Sequence, residues 1–125
     1  MKNNPVGWFE IYVQDMNRAK AFYETVFAGQ LEKLPGPDFE MWAFPMERNQ
    51  VASGAGGALV QMPGCPSGGN STLVYFSCEE CAVEASRVVS AGGRIFKEKF
   101  SIGQYGFIAL ATDTEGNMFG LHSMK

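Results

Sequence analysis

The sequence predicts an α+β fold in which the second half repeats the strand–helix–strands layout of the first. Three observations carry this expectation. Gly7–Val13 gathers Trp, Phe, Ile, Tyr and Val, as strands do, and apolar residues at helical spacing follow at once. After the turn-rich stretch Pro63–Asn70, the same order begins again at Thr72. The halves also align residue by residue: Asp15 falls over Glu79 or Glu80 and Ala28-Gly29 over Gly92-Gly93, an offset of 64 or 65 residues.

The elements follow in order. Asp15 is placed to N-cap a helix over Met16–Phe27, with Ala19, Phe22, Tyr23, Val26 and Phe27 on its apolar stripe and Gly29 as a left-handed stop. Strands are expected at Gln30–Leu34, Phe39–Pro45 and Gly57–Met62, with a turn at Pro35–Asp38. In the second half, Thr72–Ser77 is a strand. Cys78–Ala91 is a helix with Val83, Val88 and Val89 among its apolar positions, closed by Gly92-Gly93. Arg94–Glu98, Gly106–Ala111 and Asn117–Ser123 are the last strands, the final two joined by a tight turn at Asp113–Asn117.

Composition narrows the function classes. A chain of 125 residues is expected to form one domain over 1–125, with a first module at about 5–63, a linker at 63–70 and a second module at about 71–125. A net charge of −3 argues against a nucleic-acid surface, which needs a basic patch. No apolar run approaches the roughly 20 residues that span a bilayer. The N-terminal segment lacks the apolar core of a signal peptide, and an odd count of three cysteines fits a reducing compartment. A cytoplasmic protein is expected.

Strand alternation separates two faces. On the first strand Phe9, Ile11 and Val13 should lie under the helix, with Trp8, Glu10 and Tyr12 opposite. On the fifth strand Val74, Phe76 and Cys78 take the helix side, leaving Leu73, Tyr75 and Ser77 opposite. On the last, Phe119 and Leu121 read as core while Met118, Gly120 and His122 share the other face. Trp8, Glu10, Tyr75, Gly120 and His122 can then line one concave cleft.

The opening GWFEIYVQDMNRAKAFYETVF, and the segment VVSAGGRIFKEKFSIGQYGFIALATDTEGNMFGLHS, resemble the two ends of a vicinal-oxygen-chelate domain. This is the glyoxalase, bleomycin-resistance and extradiol-dioxygenase superfamily, and the likeness is to its uncharacterised glyoxalase-related branch. The resemblance implies two βαβββ modules forming a half-open, barrel-like sheet around a cleft, and often a homodimer. In metal-dependent members it implies ligands on the first, fourth, fifth and eighth strands. Those positions fall here on Trp8, near Ala58, on Leu73 and on Gly120. None carries a side-chain donor for a divalent ion, so neither a metal cofactor nor lactoylglutathione lyase activity is expected.

Three functional readings remain open. The cleft can bind a small apolar or aromatic molecule, using Trp8, Tyr12, Trp42, Phe44, Tyr75 and Tyr105. Alternatively, Glu10 and the single histidine, His122, can serve as a proton-transfer pair in a metal-independent isomerase or lyase. A metal-dependent lyase or dioxygenase with a shifted site is the third. Cys78-Glu79-Glu80-Cys81 is a C-x-x-C at a strand-to-helix junction, but no thioredoxin-like pattern surrounds it, and with Cys65 and His122 its spacing is unlike the usual zinc knuckles. A buried Cys78 and a partly exposed Cys81 are expected.

Overall fold

The computed structural model describes residues 6, 8–35, 39–46, 54–70 and 72–125. Their order is β1 (Trp8–Tyr12), α1 (Met16–Phe27), β2 (Glu32–Lys33), β3 (Glu40–Ala43), β4 (Gly56–Gln61), β5 (Val74–Ser77), α2 (Cys81–Val88), β6 (Arg94–Ser101), β7 (Phe107–Thr112) and β8 (Met118–Ser123), with a 3-10 turn at Gly103–Tyr105. The predicted repeat is realised as two four-stranded mixed sheets, ordered β1-β4-β3-β2 and β5-β8-β7-β6, neither closed into a barrel. In each, the first strand pairs parallel to the last and the other pairings are antiparallel.

Asp15 begins α1 by accepting a hydrogen bond from the Arg18 N–H at 3.1 Å. Glu80 does the same for α2 through the Ala82 N–H at 2.6 Å. A side-chain oxygen at each N-cap satisfies an N–H that the helix itself leaves free. The left-handed stop falls on Ala28 (φ 54°, ψ 43°), one residue before the expected glycine. The second helix is shorter than its apolar periodicity suggested. Cys81, Ala85 and Val88 form its buried face, whereas Val83 is 46% and Val89 66% exposed. Strand β6 runs on to Ser101, beyond the expected end at Glu98, with two register shifts against β7. Strands β2 and β3 are shorter than expected, and residues 36–38 of the Pro35–Asp38 turn lie outside the described residues.

One hydrophobic core draws on both halves. Ile11, Val13, Phe22, Tyr23 and Val26 from the first join Cys81, Val88, Ala109, Phe119 and Leu121 from the second. Rings lock the halves together: Phe9 meets Phe76 edge-on at 5.9 Å, and Phe22 meets Phe119 at 5.9 Å. Such aromatic pairs add about 0.5–1.5 kcal/mol each beyond the area they bury. This packing holds Phe9, Ile11, Phe76 and Phe119 on the helix side. The alternating residues of the same strands therefore face the other way. Among the described residues, no helix is long and apolar enough to cross a membrane.

Candidate functional site

The sheet face opposite the helices carries Trp8, Glu10 and Tyr12 on β1, Tyr75 and Ser77 on β5, and Met118, Gly120 and His122 on β8. Pairing registers fix the neighbours, with Trp8 beside Gly56, Glu10 beside Ala58, Tyr75 beside Gly120 and Leu110 beside Gly120 from the other side. Two aromatic rings lie over glycines on this face. A Cβ on Gly56 would stand 3.4 Å from the Trp8 ring and 3.3 Å from the Met46 sulfur. A Cβ on Gly120 would fall inside the van der Waals envelope of the Tyr75 ring. Trp8 and Tyr75 nonetheless remain 42% and 45% exposed, so each ring is seated on backbone with one side open.

That geometry bears on metal binding. Gly120 is covered by Tyr75, Ala58 is fully buried, Leu73 precedes β5 half-buried, and Trp8 lies on Gly56. These four side chains offer no nitrogen, oxygen or sulfur suited to a divalent ion, and the ring over Gly120 fills the space a ligand there would need. Among the described residues, no group of three or more His, Cys, Asp or Glu is placed to hold a metal ion. The residues present do not fit the metal of the metal-dependent members.

The other singled-out side chains divide. Glu10 accepts hydrogen bonds from the Tyr12 hydroxyl (2.9 Å) and the Trp8 indole N–H (3.3 Å). Donating to that carboxylate, together with burial, raises the Tyr12 phenol above its ordinary value. His122 Nε2 lies 2.7 Å from the Tyr105 carbonyl oxygen, which can only accept, so this nitrogen carries a proton. No hydrogen bond or ion pair joins Glu10 to His122; each is engaged by its own neighbours. Trp42 and Phe44 stand on the helix side rather than on the cleft face. Trp42 packs against the core beneath Lys20, whose Nζ is 4.7 Å from the ring centroid, and Phe44 sits among Phe9, Tyr23 and Phe76. Tyr105 is 66% exposed on the 3-10 turn.

The cysteines reverse the expected order of burial. Cys81 is fully buried, because α2 begins on it and turns its side chain into the core, while Cys78 is half-buried in the connection after β5. Burial first, and then the nearby Glu84 carboxylate, push the Cys78 thiol up to about 12. A thiol held protonated in this way is a poor nucleophile.

The residues that sequence reading missed lie in Asp113–Asn117, which was expected to be no more than a turn. Glu115 has a fully buried side chain and accepts five hydrogen bonds: from Arg18 Nε (2.7 Å) and Nη2 (2.9 Å), the Gln14 and Asp15 N–H groups, and the Thr114 hydroxyl. Burial alone would raise its carboxyl, but the bonds from Arg18, Thr114 and the two backbone N–H groups outweigh it and hold the group at about 2. Beside it, buried Asp113 accepts from the Tyr23 hydroxyl at 2.7 Å and from the Glu115 and Asn117 N–H groups at 2.8 Å. Here burial prevails and its carboxyl is raised. Asn117 donates to the Tyr12 carbonyl and accepts from the Gly68 N–H, and Ser67 donates to the Glu115 carbonyl. The turn thus ties together the end of β1, the start of α1 and the linker. The available signal was two acids in a tight turn with an arginine in the first turn of α1, but nothing local brings residues 97 apart together.

Between β1, the linker and the start of β8 this clamp leaves a cavity of about 210 Å³. Glu10, Tyr12, Ser67, Asn70, Thr72 and Met118 are among its walls.

Residues 6–121 match the family model described as the Glyoxalase/Bleomycin resistance protein/Dioxygenase superfamily. Over 117 residues the chain is 30% identical to CFP32, a protein named for glyoxylase activity, from Mycobacterium bovis and Mycobacterium tuberculosis. That alignment covers 91% of this chain but 42% of CFP32, so the chain spans about two fifths of the length of the curated relatives it matches. A glyoxylase/bleomycin resistance protein/dioxygenase domain from Frankia sp. EAN1pec superposes with a TM-score of 0.71 at 14% identity, covering 98% of both chains. TnmS3, an antibiotic binding protein from Streptomyces sp. CB03234, superposes with a TM-score of 0.66 at 22% identity, covering 100% of this chain and 99% of its own. At these identities the likeness to solved structures is one of fold.

Proposed function

The chain belongs to the glyoxalase/bleomycin resistance protein/dioxygenase superfamily, and from that premise we propose that it binds a small apolar or aromatic molecule, without a metal ion, on the sheet face opposite its helices. The carrying observation is the seating of Tyr75 across Gly120, at a position where metal-dependent members of the superfamily are expected to supply a ligand. With Trp8 over Gly56 it gives the face two aromatic rings, each backed by glycine and open on one side. A flat ligand laid on such rings removes apolar surface from water at about 25 cal/mol per Å², and stacking adds to this. That TnmS3 is an antibiotic binding protein supports the reading by analogy of fold. A homodimer, which the superfamily resemblance implies, belongs to the same proposal, and light scattering on the purified chain tests it.

The proposal is tested by titrating neutral naphthalene and anthraquinone derivatives while following tryptophan fluorescence and thermal unfolding. Binding should quench Trp8 and raise the melting temperature, and Trp8→Ala and Tyr75→Ala should each weaken it at least tenfold while the fold is kept. If no probe raises the melting temperature or quenches Trp8, the reading fails.

A further inference from the structure

We infer that the cavity between β1, the linker and the start of β8 receives a protonated amine, seated on the Glu10 carboxylate beside Tyr12. The inference deepens the binding reading above and rests on it for the remainder of the ligand. It follows from counting what the cavity walls have left to offer. Nearly every side-chain donor on them is already spent. The Tyr12 hydroxyl donates to Glu10, the Tyr23 hydroxyl to Asp113 and the Ser67 hydroxyl to the Glu115 carbonyl. Both amide hydrogens of Asn70 are used on the Thr72 and Met118 carbonyls, and those of Asn117 on the Tyr12 carbonyl and Asp113. The Thr72 hydroxyl alone can turn either way.

Acceptors, by contrast, remain. An ionised carboxylate has about four acceptor positions, and Glu10 uses two, for Tyr12 and for Trp8. The oxygens of Tyr12 and Ser67 keep lone pairs as well. The wall residues include no Lys, Arg or His, and no ion pair to Glu10 occurs among the described residues. A cavity with one carboxylate, surplus acceptors and a single side-chain donor to spare is matched by a ligand that only donates. An alkylammonium group, with three N–H donors, is that ligand. An anion or a carbonyl compound would find only the Thr72 hydroxyl among the wall side chains to meet it. The rings of Tyr12 and Trp8 beside the carboxylate add a favourable surface for a cation.

The test compares 2-phenylethylammonium chloride with 2-phenylethanol, which has the same heavy-atom skeleton and no charge. Nitrogen-15 spectra show two indole N–H signals, from Trp8, which donates to Glu10, and from Trp42, which lies under Lys20 and reports only on the fold. The amine should shift the Trp8 signal saturably and leave Trp42 in place. The alcohol should bind at least tenfold more weakly, and Glu10→Gln should bring the amine to the alcohol's level. Added salt should weaken the amine and not the alcohol, since Glu10 is exposed enough to be screened. Equal binding of the two probes, or an undiminished amine affinity in Glu10→Gln, would overturn the inference and leave the aromatic binding reading standing. If neither the amine nor the alcohol binds, the inference is overturned too, and failure of the neutral aromatic panel as well would remove both.

Discussion

The ring of Tyr75 lies across the backbone of Gly120, its register partner on β8, so that glycine is the only residue that lets the ring settle there. The expected consequence of Gly120→Ala is local. Its backbone is not in the left-handed region, so alanine fits the strand, but the new methyl must push the ring away. Because Tyr75 is already half in solvent, the ring can leave without dragging the strand with it. Stability should fall by about 1 kcal/mol, the typical cost of a point substitution, while binding of the aromatic probes drops at least tenfold. Paired unfolding and fluorescence titrations check this; unchanged binding would mean that the ring's seat is irrelevant to ligand capture.

Glu115 supplies a pH dependence whose sign is fixed. Its folded-state carboxyl is held at about 2, below the ordinary 4.5, so its contribution is present above the ordinary value and is lost as pH falls from about 4.5 towards 2. Raised Asp113 works the other way, its contribution fading as pH rises through its folded value. Glu115→Gln should therefore flatten the acid limb of the stability curve. It should also lower stability at neutral pH by about 2–3 kcal/mol, the range for breaking a buried charged hydrogen-bond set. Urea unfolding at several pH values gives both readings.

Asn117 reaches the β1 end, Asp113 and the linker with one amide. Asn117→Ala should cost about 2 kcal/mol, leaving the Tyr12 carbonyl and the Gly68 N–H without their partner. It should also free the 63–70 segment, so limited proteolysis should cut there several times faster than in the unaltered chain. Loss of stability with an unchanged cleavage rate would show that the linker is held by other means.

The thiols should differ sharply in reactivity. With its thiol raised to about 12, Cys78 should react with a disulfide reagent at pH 8 on the order of a hundredfold or more slowly than free cysteine, and buried Cys81 should react only on unfolding. Mass spectrometry after timed labelling assigns the sites. Rapid labelling of Cys78 would contradict the environment described for it.

The fold was legible because its signals are local. The aromatic strand at β1, the Asp15 cap and the stripe through Phe22, Tyr23 and Val26 each declare themselves within a few residues, and the repeat places their counterparts. Boundaries were blurred where a second signal competed: Val83 and Val89 are apolar at helical spacing yet face solvent, and Ala28 takes the left-handed stop in place of Gly29. The site was legible only in part. Alternation placed Trp8, Glu10 and Tyr75 correctly on the face away from the helices, but one step of pleat sends Trp42 to the core side, opposite Leu59. The Arg18–Glu115 clamp and the spent donors around the cavity depend on tertiary contacts between distant segments, and no sequence window contains them.

The central claim is that the face binds an organic ligand without metal coordination. Its most direct test is to titrate the best-binding neutral aromatic probe into the purified chain by calorimetry, before and after exhaustive chelation, with metal content measured on the same samples. The account expects the same affinity and stoichiometry in both, quenching of Trp8 on saturation, and no divalent ion retained in proportion to protein. Binding that vanishes on chelation and returns with one equivalent of a divalent ion would contradict it.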